Sequence, residues 1–190
     1  MKNLLPNDGI VNYYGAVIPD TRRIFDSLLN SIDWKNDEVM MFGKRIVTKR
    51  KTAWYGDADL AYTYSKITRT ALPWTPEILE LKKIVEDLSS ETYNSCLLNL
   101  YHDGSEGMGW HSDDEREIVS RSAIASLSFG SERRFLLKHK ISKETISQVL
   151  ENGSLLVMKE EVQEHWWHSV PKSVKVAEPR INLTFRKMKV

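Results

Sequence analysis

Cysteine is almost absent: Cys96 is the only one in 190 residues. That excludes a disulfide framework and a cysteine-based zinc site, and it fits a reducing compartment. Long apolar runs are missing too. Residues 1–30 carry no charged-then-apolar signal pattern, and no stretch approaches a membrane span. Neither sign of charge is in excess, with 27 Lys and Arg against 26 Asp and Glu and a formal net charge of +1. A nucleic-acid surface would therefore have to arise from local clustering. Repeats and low-complexity tracts are absent as well. What is present, 41% hydrophobic and 28% charged residues, is the composition of one ordinary globular domain spanning 1–190, long enough to bury a substantial core.

The first half of the chain reads as helices among irregular segments. Residues 1–18 form an extended lead-in, with a turn at Asn7-Asp8-Gly9 and a short strand at Val11-Asn12-Tyr13-Tyr14. Asp20 is a candidate N-cap for a helix to Asn30, with Ile24, Phe25, Leu28 and Leu29 on one face. Thr75-Pro76-Glu77 opens a second helix, which carries Ile78, Leu81, Ile84, Val85 and Leu88 as its stripe and ends at Ser89-Ser90. Both stripes read as core. From Cys96 onward the text changes to short alternating or apolar runs at 96–101, 122–129, 134–139, 154–159, 165–170 and 181–186. Such a series argues a sandwich or barrel, and an α+β chain overall.

Two motifs carry chemistry. In Trp110-His111-Ser112-Asp113 the imidazole and the carboxylate are two residues apart, so extended backbone turns both to one face. With His168, from Trp166-Trp167-His168-Ser169-Val170, they would complete a two-histidine, one-carboxylate facial triad of the non-heme iron(II) type. In Pro179-Arg180-Ile181-Asn182-Leu183-Thr184-Phe185-Arg186, alternation sets Ile181, Leu183 and Phe185 against Arg180, Asn182, Thr184 and Arg186. The plain reading is a half-buried strand with a solvated polar face. Two arginine forks framing Asn and Thr, however, suit the two ends of a dicarboxylate. Leu98-Asn99-Leu100-Tyr101 likewise puts Asn99 and Tyr101 together.

His111-x-Asp113, His168, Arg180-x-Asn182-Leu183-Thr184-x-Arg186 and Asn99-x-Tyr101 together resemble the AlkB family of iron(II)- and 2-oxoglutarate-dependent dioxygenases. Met41-Phe42-Gly43-Lys44, Tyr55-Gly56-Asp57, Tyr62-Thr63-Tyr64-Ser65, Asp113-Asp114-Glu115-Arg116-Glu117 and Ile124-Ala125-Ser126-Leu127-Ser128-Phe129-Gly130 are similar to the branch that repairs alkylated DNA in duplex form. The likeness runs from about residue 38 to 188. It implies a double-stranded β-helix, or jelly roll, over 96–188, with supporting N-terminal helices and a nucleotide-recognition lid over about 38–70.

The resemblance also implies roles. Fe(II) would be held by His111, Asp113 and His168, leaving positions for 2-oxoglutarate and molecular oxygen. Arg186 and Asn99 would serve the metal-proximal end of 2-oxoglutarate; Arg180, Tyr101 and Asn182 would hold its distal carboxylate, with Thr184 supporting the pocket. Oxidation of the cosubstrate to succinate and carbon dioxide would accompany hydroxylation of an N-methyl group, which then leaves as formaldehyde. The expected substrates are 1-methyladenine and 3-methylcytosine, whose blocked pairing edges make extrusion from a duplex less costly. Phe42 corresponds to the residue that enters the stack as a base leaves. Gly43, Lys44, Tyr62, Tyr64, Ser65 and Glu115 match positions near nucleic acid or the extruded base.

From the residues themselves, Lys44, Arg45, Lys49, Arg50 and Lys51 form a cluster that could be a plain solvated face or could neutralise phosphates. Aromatics interleaved nearby, Phe42, Trp54, Tyr55, Tyr62 and Tyr64, can stack on bases or simply pack as core. Two further functions stand beside duplex repair: the same enzyme acting on RNA or single strands, and a catalytically silent nucleic-acid-binding module. His165 reads as structural or surface, His102 and His139 as exposed or locally satisfied, and Cys96 as a small core residue. Trp167 occupies a position where the duplex-acting branch often has Tyr. A monomer is expected. A bacterial cytosol is the expected location, since the chain shows no long N-terminal extension; in a eukaryote the run at 44–51 would suit a nuclear signal.

Overall fold

The computed structural model describes residues 2–41, 44–58, 60–64 and 67–189; within them, the side chains of 38–41, 44–46, 61–64 and 67–69 are left aside. In chain order the elements are β1 (Ile10–Ala16), α1 (Thr21–Ser31), β2 (Lys35–Met41), β3 (Lys44–Gly56), β4 (Ala61–Tyr64), β5 (Ile67–Thr70), β6 (Leu72–Pro73), α2 (Pro76–Ser89), β7 (Ser95–Tyr101), β8 (Met108–His111), β9 (Ile124–Gly130), β10 (Arg133–His139), β11 (Thr145–Leu150), β12 (Ser154–Lys159), α3 (Val162–His165), β13 (Trp166–Val170) and β14 (Arg180–Arg186). A major sheet runs β1-β12-β9-β14-β7-β3-β2, with β6 added in parallel to β3. A minor sheet runs β11-β10-β13-β8, and β4 and β5 form a hairpin. The two sheets are the jelly roll that the strand spacing and the family resemblance led to.

Alternation in the central strands creates two faces of different chemistry. Cys96, Leu98 and Leu100, with Ala125, Leu127, Phe129, Ile181, Leu183 and Phe185, join one apolar cluster with Ile24, Leu28, Ile78, Leu81 and Val85 of α1 and α2. The helices thus cover the outer face of the major sheet. Truncating one of these fully buried leucines to alanine would cost about 2–5 kcal/mol. A second cluster, including Ile124, Phe135, Leu137, Leu150, Leu156, Met158 and Trp166, fills one end of the space between the sheets. Along the rest of that interior the major sheet presents polar side chains. Asn99, Ser126, Ser128, Arg180, Asn182 and Thr184 are all buried. The solvated face expected of the last strand is therefore enclosed, because the minor sheet lies over it.

Local signals explain the helix ends. The Thr75 hydroxyl accepts the Ile78 N–H at 3.2 Å, and Pro76 occupies the first turn of α2. Asp20 precedes α1 but makes no side-chain cap; its carboxylate takes Arg23 instead. Between β7 and β8, the Gly104 N–H donates to the Val176 carbonyl and the Gly104 carbonyl accepts from Ser173 N–H, both at 2.8 Å. Any Cβ at Gly104 would collide with the Ser173 carbonyl oxygen, so glycine is what lets this loop lie against the segment leading to β14. No helix among the described residues is long and apolar enough to cross a membrane.

Candidate metal and cosubstrate site

Antiparallel pairing of β8 with β13 sets His111 directly opposite His168. Directly paired residues project to one face, so the two imidazoles meet with ring centroids 4.2 Å apart. Asp113 follows just beyond β8. Gln163 Oε1 accepts its backbone N–H at 2.9 Å, and the Ser112 hydroxyl donates to the Trp166 carbonyl at 3.0 Å, which fixes the turn. Its Oδ1 lies 3.6 Å from His111 Nε2 and 3.7 Å from His168 Nε2. Its Oδ2 accepts Arg186 Nη2 at 2.8 Å and Nε at 3.2 Å. One carboxylate oxygen faces the imidazoles and the other is held by a cation.

The outer nitrogens decide what the inner ones can do. His111 Nδ1 lies 2.8 Å from the Gly109 carbonyl, which can only accept; the proton belongs on Nδ1 and the Nε2 lone pair faces Asp113. His168 stacks on Phe135 at 5.4 Å, and its Nδ1 is buried with no partner among the described residues. Burial holds the His168 imidazolium down, to a pKa of about 4, against the opposing pull of Asp113. Burial pushes the Asp113 carboxyl up, but Arg186, His168 and His111 together outweigh it and bring it down to about 2. At neutral pH His168 is therefore a neutral imidazole and Asp113 a carboxylate, each in the form that binds a divalent metal. The donor set fits Fe(II).

A cavity of about 70 Å³ opens beside this set, walled by Asn99, Tyr101, Asn182, Thr184 and Arg186 as well as the triad. Pairing of β14 with both β7 and β9 explains the convergence: Asn182 stands opposite Asn99 on one side and Ser128 on the other. Asn182 Nδ2 donates to Ser126 Oγ at 2.8 Å, and the Thr184 hydroxyl donates to Asn182 Oδ1 at 3.2 Å. Arg180 sits a layer behind, 5.5 Å from the Tyr101 ring centre, donating to Ser128 Oγ at 2.9 Å. It is 1% exposed, and its Nε and Nη1 have no hydrogen-bond partner among the described residues. Burial lowers its pKa to about 10, so it remains a cation whose free donors suit a carboxylate. For Arg186 burial works downward, but Asp113 prevails and the pKa is raised.

The expected nucleic-acid contacts are placed less fully. Phe42, Gly43 and Ser65 lie outside the described residues, as do the side chains of Lys44, Tyr62 and Tyr64 on β3 and β4. Glu115 is exposed beside Trp54 and Arg186, at the mouth of a neighbouring cavity. Arg50 faces inward: it pairs with Asp37, donates to Met108 Sδ at 3.3 Å and lies 5.8 Å from the Tyr101 ring centre. Three contributors had not been singled out from sequence: Gln163, Phe135 and Arg133. For Gln163 no signal exists, since it sits in the single-turn helix α3, too short to show a period. Phe135 and Arg133 share a face in the alternating run 133–139, and that pattern could have placed both inside.

A second constellation brings Asp8, His139 and His165 together with potential ligand atoms within 4.8 Å of one another. His139 is buried rather than exposed; Ser142 satisfies one ring nitrogen locally, and Asp8, far off in sequence, the other. Its Nδ1 accepts the Ser142 N–H at 3.0 Å, so the proton sits on Nε2 and donates to Asp8 Oδ2 at 3.1 Å. His165 closes α3, apart from the strand that carries His168, and its ring stacks on His139 at 6.3 Å. His102 pairs locally with Glu106 at 3.0 Å, and Cys96 is fully buried, its thiol pKa pushed well up by burial.

Residues 18–186 match the family described as the 2OG-Fe(II) oxygenase superfamily. The chain is 43% identical over 159 residues to the mouse protein named DNA oxidative demethylase ALKBH2, covering 80% of this chain and 66% of that one. It is 38% identical over 173 residues to human alpha-ketoglutarate-dependent dioxygenase alkB homolog 3, covering 86% of this chain and 60% of the other. The chain thus spans less than two thirds of the length of these relatives. The solved structure of OsALKBH1 superposes with a TM-score of 0.64 over 96% of this chain and 99% of its own, at 17% identity, a likeness of fold. The chain belongs to the 2OG-Fe(II) oxygenase superfamily and, within it, to the AlkB family.

Proposed function

We propose that the chain is an oxidative demethylase of alkylated nucleic-acid bases, acting on 1-methyladenine and 3-methylcytosine in duplex DNA as a monomer. The observation that carries this reading is the cross-strand pair His111 and His168 closed by Asp113 Oδ1, with a second, buried guanidinium beside the same cavity. Relatives named DNA oxidative demethylase support the substrate class.

In this reading His111 Nε2, His168 Nε2 and Asp113 Oδ1 hold Fe(II). Bound iron and 2-oxoglutarate supply the oxidising power that hydroxylates the N-methyl carbon. Arg186 keeps Asp113 ionised and fixes which of its oxygens faces inward. Asn99 and Arg186 line the metal-proximal end of the cosubstrate. Tyr101 and Arg180 receive its distal carboxylate, while Asn182 and Thr184, locked to each other and to Ser126, keep that wall rigid. The interior is walled by Phe135, Met158 and Val170, which exclude water from the reacting centre. Phe42, Gly43, Lys44, Tyr62, Tyr64, Ser65 and Glu115 are assigned to the nucleic acid; Arg50, expected among them, is turned inward onto Asp37 instead.

The test is formaldehyde release from a duplex oligonucleotide carrying 1-methyladenine, with iron(II) and ascorbate, with and without 2-oxoglutarate. Release only with the cosubstrate is expected, and faster from the duplex than from the same strand alone or its RNA equivalent. A severalfold preference for RNA would overturn the substrate, and tight binding with no succinate formed would overturn the enzyme.

A further inference from the structure

Tyr101 is the meeting point of three guanidiniums from three strands. Arg50 on β3, Arg133 on β10 and Arg180 on β14 lie 5.8, 5.7 and 5.5 Å from its ring centre. Arg50 is neutralised by Asp37. The other two are 2% and 1% exposed, and neither is in ion-pair contact with a carboxylate among the described residues. Arg133 Nη2 donates to the Glu106 and Pro171 carbonyls, both at 2.8 Å. The Glu106 carboxylate itself turns to the His102 N–H and ring. Arg133 Nε and Nη1, like those of Arg180, have no hydrogen-bond partner among the described residues.

A purely structural tie between β10, the 102–107 loop and the strand end at Pro171 needs only Nη2 and could be made without a buried charge. Burying one unpaired guanidinium is costly, and burying two around a single phenol adds mutual repulsion. The strain shows on the groups themselves: burial lowers the pKa of Arg133, and Arg133 contributes to the lowering at Arg180. An anion beside Tyr101 would relieve both at once. A dicarboxylate would place its far carboxylate there; a 2-oxo acid with one carboxylate would leave the pair uncompensated.

We propose that Arg133 is a specificity-determining residue of the cosubstrate pocket, a second positive centre that acts with Arg180 through Tyr101 to favour 2-oxoglutarate over 2-oxo acids lacking the distal carboxylate. This rests on the cosubstrate reading given above. It assigns to β10, the strand of the minor sheet next to His168, a part in choosing the cosubstrate as well as in covering the metal.

The experiment is thermal denaturation of the full chain with Mn(II), titrated with 2-oxoglutarate or with 2-oxopentanoate, a five-carbon analogue with a single carboxylate. The native protein should be stabilised by 2-oxoglutarate at much lower concentration than by the analogue. Arg133→Met should narrow that preference by about tenfold, the scale of one charge-assisted hydrogen bond, and Arg133→Lys should restore part of it. In turnover the same variants should raise the KM for 2-oxoglutarate more than they lower kcat. A structural tie alone would weaken both ligands alike and leave the ratio between them unchanged; that result overturns the inference. A native protein unmoved by 2-oxoglutarate would overturn the cosubstrate reading instead, and this inference with it.

Discussion

Among the described residues, two places gather a carboxylate and two imidazoles within 4.8 Å, yet only one of the two is wired to hold a metal. At His111 the outer ring nitrogen meets a carbonyl, Gly109, so the inner nitrogen offers a lone pair. At His139 the outer nitrogen meets a donor, the Ser142 N–H, so the inner nitrogen carries a proton and gives it to Asp8. The carboxylates differ in the same sense. Asp113 is buried and braced by Arg186, whereas the Asp8 side chain is 42% exposed. Residue types and distances alone would score the two sites alike. The second hydrogen bond of each histidine separates a cation site from a proton-bridged clamp.

The sharpest way to break that contrast is to remove the matching histidines. His111→Ala should abolish stabilisation by Mn(II) and lower formaldehyde release by about 10³-fold or more, as expected when one member of a catalytic unit is lost. His139→Ala should leave both responses to metal in place. Asp113→Ala should go further than His111→Ala, because it also strands the Arg186 charge at a cost of about 3–5 kcal/mol. If His139→Ala abolished the metal response while His111→Ala kept it, the wiring argument would be wrong.

Arg180→Met tests the cosubstrate end of the same site. Replacing a buried cation that has no carboxylate partner among the described residues with an apolar chain of similar length should leave the unliganded protein no less stable. The half-saturating 2-oxoglutarate concentration should nevertheless rise by about 30-fold, equivalent to about 2 kcal/mol. Titration calorimetry on the Mn(II) form would read it. A drop in unliganded stability with unchanged affinity would reassign Arg180 to the core.

Acid should act on the metal-free protein through the first site. The folded-state pKa of His168 is held down to about 4, below the ordinary 6.5, so between those values the unfolded chain binds a proton that the folded one does not. Stability from this group is fully present above pH 6.5 and is lost as pH falls through about 4. Asp113, held at about 2 against its ordinary 3.8, adds a loss of the same sign lower down. The His168 window amounts to something on the order of 3 kcal/mol. Urea denaturation of chelator-treated protein from pH 7 to 4.5 measures it, and a flat profile would contradict the buried neutral imidazole.

Much of this was legible before any coordinates. The α2 stripe and its Thr75-Pro76 start, the six short alternating or apolar runs and the His111, Asp113, His168 set all follow from period and chemistry. The enclosure of the β14 polar face was not legible, because alternation says that two faces differ without saying what covers each. Arg50 was hidden in the same way: a cluster of basic residues reads as one solvated patch, while the strand turns Arg50 inward onto Asp37. His139 escaped because its partners are the Ser142 amide and Asp8, a residue 131 positions away. Gln163, whose side chain meets a backbone N–H, leaves no pattern at all. In each case the missing term was a contact between segments distant in sequence.

The smallest effects lie at the clamp and bear on its character. His139→Ala removes the acceptor of the Ser142 N–H and the ring that meets Trp166 edge-on at 4.9 Å. A loss of about 2 kcal/mol is expected, a fall in Tm of roughly 4–8 °C for a chain of this size. Asp8→Asn should do far less. An amide oxygen can still accept the Nε2 proton, and the charge removed is partly in water, where ion pairs contribute about 0–1 kcal/mol. The change in Tm should therefore stay within about 4 °C, and it should be the same with and without added Zn(II). Were Zn(II) to stabilise the native protein but not Asp8→Asn, with His111 already replaced by alanine in both, the clamp would be a metal site after all. The Ser142 N–H would then have to give up its hold on the His139 ring.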